Sequence, residues 1–391
     1  LLLMDAVYAA YLERSAAQPP LDDRHFDGHF AAGEFYPPLY YPTERNFRLH
    51  RANMSVSGSH YGDAYSAHML QSPTLREQVL SLKPVTIRID EHGLRESQPL
   101  EGAQIVALGD SFTFGWGMQE ESTWVRQLER RLGRRVVNFG MHDGSPKQQL
   151  ELLTHFLAKL GDRLPLRHLV WLFYEGNDLE DSYADHAPAP KHQEWRRGID
   201  PLLHTLFSNI KDNMVIEQFR QGRVVFAGPA EHGGNRHLSV DGIPLAVPLY
   251  RSATLGPALF FSAFIERAGL PASYVINHEN RPRLERTFAQ MMQLAARHHF
   301  TVTVAIAPTG ARLHGRYFDD FPPLSAAPHF IDYVGSLARR HGAAFIDLHA
   351  LFAQQAGREM LYFRDDDHWN EKGHGLAAAM IARYGFGAAA P

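Results

Sequence analysis

The chain has 391 residues, 45% of them apolar, with a formal net charge of −4 and no cysteine. That length and apolar content suffice for one large core or a core with an accessory domain. Disulfides, thiol nucleophiles and thiolate zinc sites are excluded. The charge balance gives no general electrostatic reason to bind nucleic acid, and the basic pairs Arg130-Arg131 and Arg134-Arg135 read as solvated faces.

Residues 1–12 are mostly apolar apart from Asp5. They read either as the remnant of a longer hydrophobic segment preceding Leu1, a membrane tether, or as an amphipathic helix packed on the core. No stretch in the sequence is long and apolar enough to span a bilayer. Residues 18–60 are rich in Pro, Tyr, Phe, His and Gly without sustained periodicity, so extended, irregular structure is expected. Residues 85–90 alternate as a strand closed by the turn Glu91-His92-Gly93, which could pair with an edge of a sheet.

From residue 104 the pattern alternates strand and helix. Short apolar runs at 104–108, 135–138, 168–174, 301–307 and 343–347 suit strands buried on both faces. Between and after them, Trp124/Val125/Leu128/Leu132, Leu153/Phe156/Leu157/Leu160, Leu284/Phe288/Met291/Ala295, Phe330/Ile331/Val334/Leu337 and Leu376/Ala377/Met380/Ile381 recur at helical spacing. The expected architecture is α/β: a three-layer α/β/α sandwich around a mostly parallel five-stranded sheet. Residues 1–100 form an amino-terminal extension wrapping this core. The main domain covers 101–391, interrupted by an insertion or lid at about 179–280. Inside the insertion, Asp241-Gly242 predicts a hairpin turn between 237–240 and 243–249, with Pro244 and Pro248 limiting it to an edge. Tyr183, Trp195, Phe207, Phe219, Tyr250, Phe260 and Phe261 read as the insertion's own small core or as the wall of a cleft.

Four segments fall beyond the carboxyl ends of strands, where open α/β sheets bind ligands. Gly109-Asp110-Ser111 places a hydroxyl on a tight strand-to-helix turn, the position of a nucleophile. The loop from Asn138 to Ser145 leads into a helix whose Ser145, Pro146 and Gln148 spell a capping box with proline at N1. The unpaired N–H groups at that helix start face developing negative charge. Gly176-Asn177-Asp178 follows the third strand, and Asp365-Asp366-Asp367-His368 precedes the last helix. Together they supply a hydroxyl, an imidazole base, a carboxylate to orient it, and donors for an oxyanion: the backbone N–H of Ser111, a backbone N–H from Asp143 or Gly144, and the amide of Asn177. His298-His299 and His374 lack metal-ligand spacing, so no catalytic metal is expected; there is no phosphate loop or dinucleotide fingerprint, and no cofactor is called for.

This set of blocks resembles the SGNH, or GDSL-like, hydrolase superfamily, over residues 104–178 and 281–385. The resemblance implies Ser111 as nucleophile, Asn177 as oxyanion amide and His368 as base. The family's glycine in the second block falls at Asp143, with Gly144 one residue later. The usual Asp-x-x-His spacing selects Asp365 as the carboxylate partner. An Asp-x-His-Trp variant, seen in proteins resembling the alginate O-acetylation enzymes, selects Asp366. The resemblance implies a serine esterase working through an acyl-serine intermediate on O-acyl, in particular acetyl, esters of a cell-envelope glycan. The alternatives are a polysaccharide O-acetyltransferase using the same residues and, from another class, a non-catalytic glycan-binding or scaffold protein. The partners implied are an acyl ester substrate, such as an acylated polysaccharide, and no nucleic acid. The location implied is the periplasm or cell envelope, with the inner membrane as anchor; without that anchor it is the cytoplasm.

Overall fold

A computed structural model describes residues 40–42, 48–50, 52–60, 62–64, 67–81, 83–96, 98–142, 144–181, 238–245, 247–324 and 327–387. Five parallel strands, β1 (Ile105–Gly109), β2 (Val136–Gly140), β3 (His168–Tyr174), β4 (Thr301–Ala307) and β5 (Ala344–Asp347), form one sheet in the order β5-β4-β3-β1-β2. Almost every residue of β1 to β4 is buried, because helices cover both faces.

Alternate side chains of each strand enter opposite layers. On one face Val106, Leu108, Val137, Phe139, Trp171, Phe173, Val304 and Ile306 pack with helices α2 (Pro146–Leu160), α3 (Arg281–His298) and α4 (His329–Arg340). On the other, Ile105, Ala107, Val136, Val170, Leu172 and Ala305 pack with α1 (Trp124–Leu132) and α5 (Glu371–Phe386). The expected α/β/α sandwich is therefore the fold, and all five amphipathic stripes serve as core.

From β1 the chain winds outward to β2, then returns to the other side of β1 for β3 and continues outward to β4 and β5. The winding reverses between β1 and β3, and the crevice beyond their carboxyl ends is where such sheets hold ligands.

The amino-terminal segment differs from its expectation. Met54–His60 is a regular strand, paired antiparallel with Lys83–Ile89 over seven residues. This two-stranded sheet is separate from the five-stranded one, so 85–90 does not extend a sheet edge. Val85, Ile87 and Ile89 alternate inward, and the strand's backbone pairs with Met54–His60 instead. A second short pair joins Tyr40–Pro42 to Arg48–His50. In the central stretch the turn at Asp241 and Gly242 joins Ser239–Val240 to Ile243–Pro244, both turn residues having positive φ. Tyr250 and Phe260 share a small cluster with Phe318, Phe321 and Met360, whereas Tyr183, Trp195, Phe207 and Phe219 lie outside the described residues, as do residues 1–12. Among the described residues no helix is long and apolar enough to cross a membrane.

Candidate active site

Ser111 opens a one-turn helix, Ser111–Phe114, directly after β1. Asp110 caps it by accepting from the Phe112 N–H at 3.0 Å. The turn packs hard against the end of β2: a Cβ on Gly140 would lie 2.0 Å from the Phe114 nitrogen, so only glycine fits there. Arg95, fully buried, donates to the carbonyls of Phe114 (3.1 Å), Gly115 (2.6 Å) and Met118 and fixes the loop after the serine.

The loop before α5 brings His368 to this turn. His368 Nε2 lies 2.7 Å from Ser111 Oγ, and His368 Nδ1 lies 2.5 Å from Asp366 Oδ1. The same carboxylate oxygen accepts the His368 backbone N–H at 2.9 Å. Phe112 lies under the imidazole, its ring centroid 5.1 Å away, and the buried Trp369 meets Phe112 edge-on at 5.0 Å. Trp369 thus anchors the residue next to the imidazole in the core.

Electrostatics follow from burial and pairing. Burial alone would push Asp366 up, but the His368 charge and hydrogen bonds from His368 and His60 outweigh it and hold its carboxyl well below the usual range. Burial alone would lower His368; the charge and hydrogen bond of Asp366, with Asp63 and Asp110 behind it, raise it to about 9. Asp63, from the segment after Met54–His60, sits 3.8 Å from His368 Nδ1 and accepts from Trp116 Nε1 at 3.3 Å. Desolvation and the Asp366 charge push Asp63 up to about 6. Asp63, Asp366 and His368 each offer a ligand atom within 4.8 Å of the others, a spacing that could hold a cation. In the structure His368 Nδ1 and Asp366 Oδ1 are already bonded to each other.

Several expected residues take different positions. Asp365, favoured by the Asp-x-x-His spacing, turns away from the imidazole. Its carboxylate accepts from Gly62 N (3.1 Å), Ser81 N (2.7 Å) and Ser81 Oγ, tying the amino-terminal segment to the catalytic loop. The two-residue spacing wins because Asp366 accepts both the His368 side chain and its own loop's N–H, closing a tight Asx-type turn. The capping box at Ser145 and Gln148 is present, with Pro146 at the first helical position. The Gly144 N–H is engaged with Met141 O at 3.0 Å, so it is not an open donor in this arrangement. Asp143 lies outside the described residues. Asn177 stands in the turn after β3, beside the strand that leads to Ser111, and its buried Oδ1 has no hydrogen-bond partner among the described residues.

Asp63, His60, Ser81 and Arg95 were not legible as site residues. The available signal was the alternation Met54-Ser55-Val56-Ser57-Gly58-Ser59-His60, which has the two-residue period of a strand ending at His60.

A Ser–His–Asp hydrogen-bonded chain at the switch point of a parallel sheet is an arrangement that suits acyl transfer to or from a serine. Residues 272–384, which include Asp366 and His368 but not Ser111, match the family model described as the SGNH hydrolase-like domain of the acetyltransferase AlgX. Among solved structures the chain is similar to a protein assigned to the G-D-S-L lipolytic family from Desulfitobacterium hafniense DCB-2, at 12% identity, 72% of this chain, 99% of that chain and TM-score 0.36. The corresponding values are 12%, 73%, 99% and 0.37 for TesA, and 12%, 71%, 97% and 0.34 for the acetyl xylan esterase AlAXEase. No curated protein matches the chain significantly.

Proposed function

We propose that the protein is a serine-dependent ester hydrolase whose substrate is an O-acetyl ester of a cell-envelope glycan. The observation that carries this reading is the continuous chain from Ser111 Oγ through His368 to the buried Asp366. As Ser111 Oγ attacks the ester carbonyl, its proton passes to His368 Nε2, and Asp366 stabilises the imidazolium that forms. Collapse of the tetrahedral adduct breaks the bond to the alcohol oxygen, which leaves with the proton from His368, and an acyl-Ser111 ester remains. Water then gives a proton to His368 while its oxygen adds to the acyl carbon, and acetate leaves as Ser111 is reprotonated. The Ser111 backbone N–H and the Asn177 amide are the donors proposed for the oxyanion.

A second reading is favoured by the family model itself, which is named for an acetyltransferase. In it a sugar hydroxyl replaces water in the second half, on the same residues. The glycan and the envelope location belong to the proposal. Incubation with p-nitrophenyl acetate, followed by intact-mass measurement, separates the readings. An acetyl group that water clears supports the esterase, and one cleared only on addition of polysaccharide supports the transferase. A folded protein that takes no label supports a scaffold and refutes both.

A further inference from the structure

The carboxylate beside His368 has a second oxygen, and a second imidazole lies next to it. His60, the last residue of the strand Met54–His60, is fully buried, and its Nε2 lies 3.4 Å from Asp366 Oδ2. Asp366 therefore lies between two imidazoles, hydrogen-bonded to His368 through Oδ1 and in close approach to His60 through Oδ2. The His60 ring is itself confined. Phe363 packs against it at 5.2 Å between centroids, Trp116 meets it edge-on at 6.4 Å, and a Cβ on Gly117 would come within 2.6 Å of Nε2. The strand is also moored to the catalytic loop. The Gly62 N–H donates to the Asp365 side chain and the Ala64 N–H to the Asp365 carbonyl, at 3.1 and 3.0 Å.

We propose that His60 is a positioning residue for the chemistry at Ser111. Its Nε2–H holds the far oxygen of Asp366 so that the near oxygen stays aimed at His368 Nδ1. The physical need is specific. The last torsion of an aspartate is broad and roughly two-fold, so a carboxylate anchored through one oxygen can swing. A buried ionised carboxylate also offers about four acceptor sites, and leaving one oxygen unsatisfied costs free energy. A donor on the second oxygen removes both problems. His60 lies outside the segments that resemble the hydrolase family, so the amino-terminal segment completes the site rather than only covering it. This inference rests on the reading of Ser111 and His368 given above.

The test uses three variants of the full chain. His60→Gln keeps a donor nitrogen at the ε position, His60→Asn places its amide one atom short, and His60→Ala removes the donor. Circular dichroism and thermal melting select folded variants. With p-nitrophenyl acetate, kcat should fall about 10- to 100-fold in His60→Asn and His60→Ala with KM unchanged, as for other partners that orient a reacting residue's neighbour. His60→Gln should recover most of the rate. A role in core filling alone would not distinguish Gln from Asn in this way.

The second readout is the strongly deshielded proton NMR signal of His368 Nδ1–H on Asp366, which does not need turnover. It should be present in the wild type and His60→Gln, and broadened or lost in His60→Asn and His60→Ala. Wild-type kcat in all three variants, or the signal intact in His60→Ala, overturns the inference. A wild-type protein that does not turn over the ester refutes the proposed function instead, and the NMR signal alone then decides the role of His60.

Discussion

Replacing Asp366 with asparagine removes one negative charge at a fixed point and changes little else in volume. In the wild type that charge helps raise His368 from 6.5 to about 9 against the opposing pull of burial, a difference worth roughly 3 kcal/mol in favour of the imidazolium. The imidazolium is the species that forms as Ser111 loses its proton, so losing that stabilisation alone should slow acylation about 10²- to 10³-fold. Geometry adds to the loss. Asp366 Oδ1 accepts two N–H groups from His368, so the asparagine oxygen must take that place, and its amide then points a donor at His60 Nε2. Either His60 changes tautomer or the asparagine flips and presents a donor to His368, which stabilises the wrong tautomer and brings the loss to as much as about 10⁴. The assay is single-turnover release of p-nitrophenol from p-nitrophenyl acetate, which isolates acylation from deacylation. Asp365→Asn is the control, since Asp365 contacts Gly62 and Ser81 rather than the imidazole. Acylation unimpaired in Asp366→Asn, or an equal loss in Asp365→Asn, would refute the assignment of Asp366 as the orienting carboxylate.

Four further outcomes follow from the same geometry. Asn177→Ala should lower kcat about 10²- to 10³-fold if its amide serves the oxyanion, and an unchanged steady-state kcat would exclude it. Because His368 acts as a base only when neutral, kcat/KM should rise with pH and level off near 9, whereas a profile flat from pH 6 to 9 would contradict the raised value. The folded-state value lies above the unfolded one near 6.5, so the stabilisation from this pair is complete below 6.5 and lost as the pH rises through about 9. Thermal unfolding should show that slope in the wild type and not in His368→Gln. Ser145→Ala removes the capping box at the start of α2 and should destabilise the fold by about 1 kcal/mol in denaturant melts.

The sheet and the serine turn were legible in the sequence because each rests on local rules. A short apolar run followed by small residues specifies a buried strand and a tight turn, and the β3 and β4 bounds coincide with the apolar runs at 168–174 and 301–307. The Ser145 capping box was legible for the same reason, since both of its hydrogen bonds lie within four residues. The carboxylate was harder. Asp365, Asp366 and Asp367 are adjacent and all buried, and only the three-dimensional course of the loop decides which one meets Nδ1. His60, Asp63 and Arg95 could not be placed at all, because their partners lie far along the chain. His60 meets Asp366 across 306 positions, a pairing that no local spacing encodes. The Gly144 donor failed on a local detail, its N–H being drawn into a turn with Met141.

Rapid-quench peptide mapping with an activated acetyl ester goes most directly to whether the side chain of Ser111 becomes the acyl carrier. Within the first turnover the acetyl group should appear on the peptide containing Ser111, and it should be absent in Ser111→Ala and strongly delayed in His368→Gln. Acetyl on a different residue, or continued ester turnover by Ser111→Ala at the wild-type rate, would contradict it.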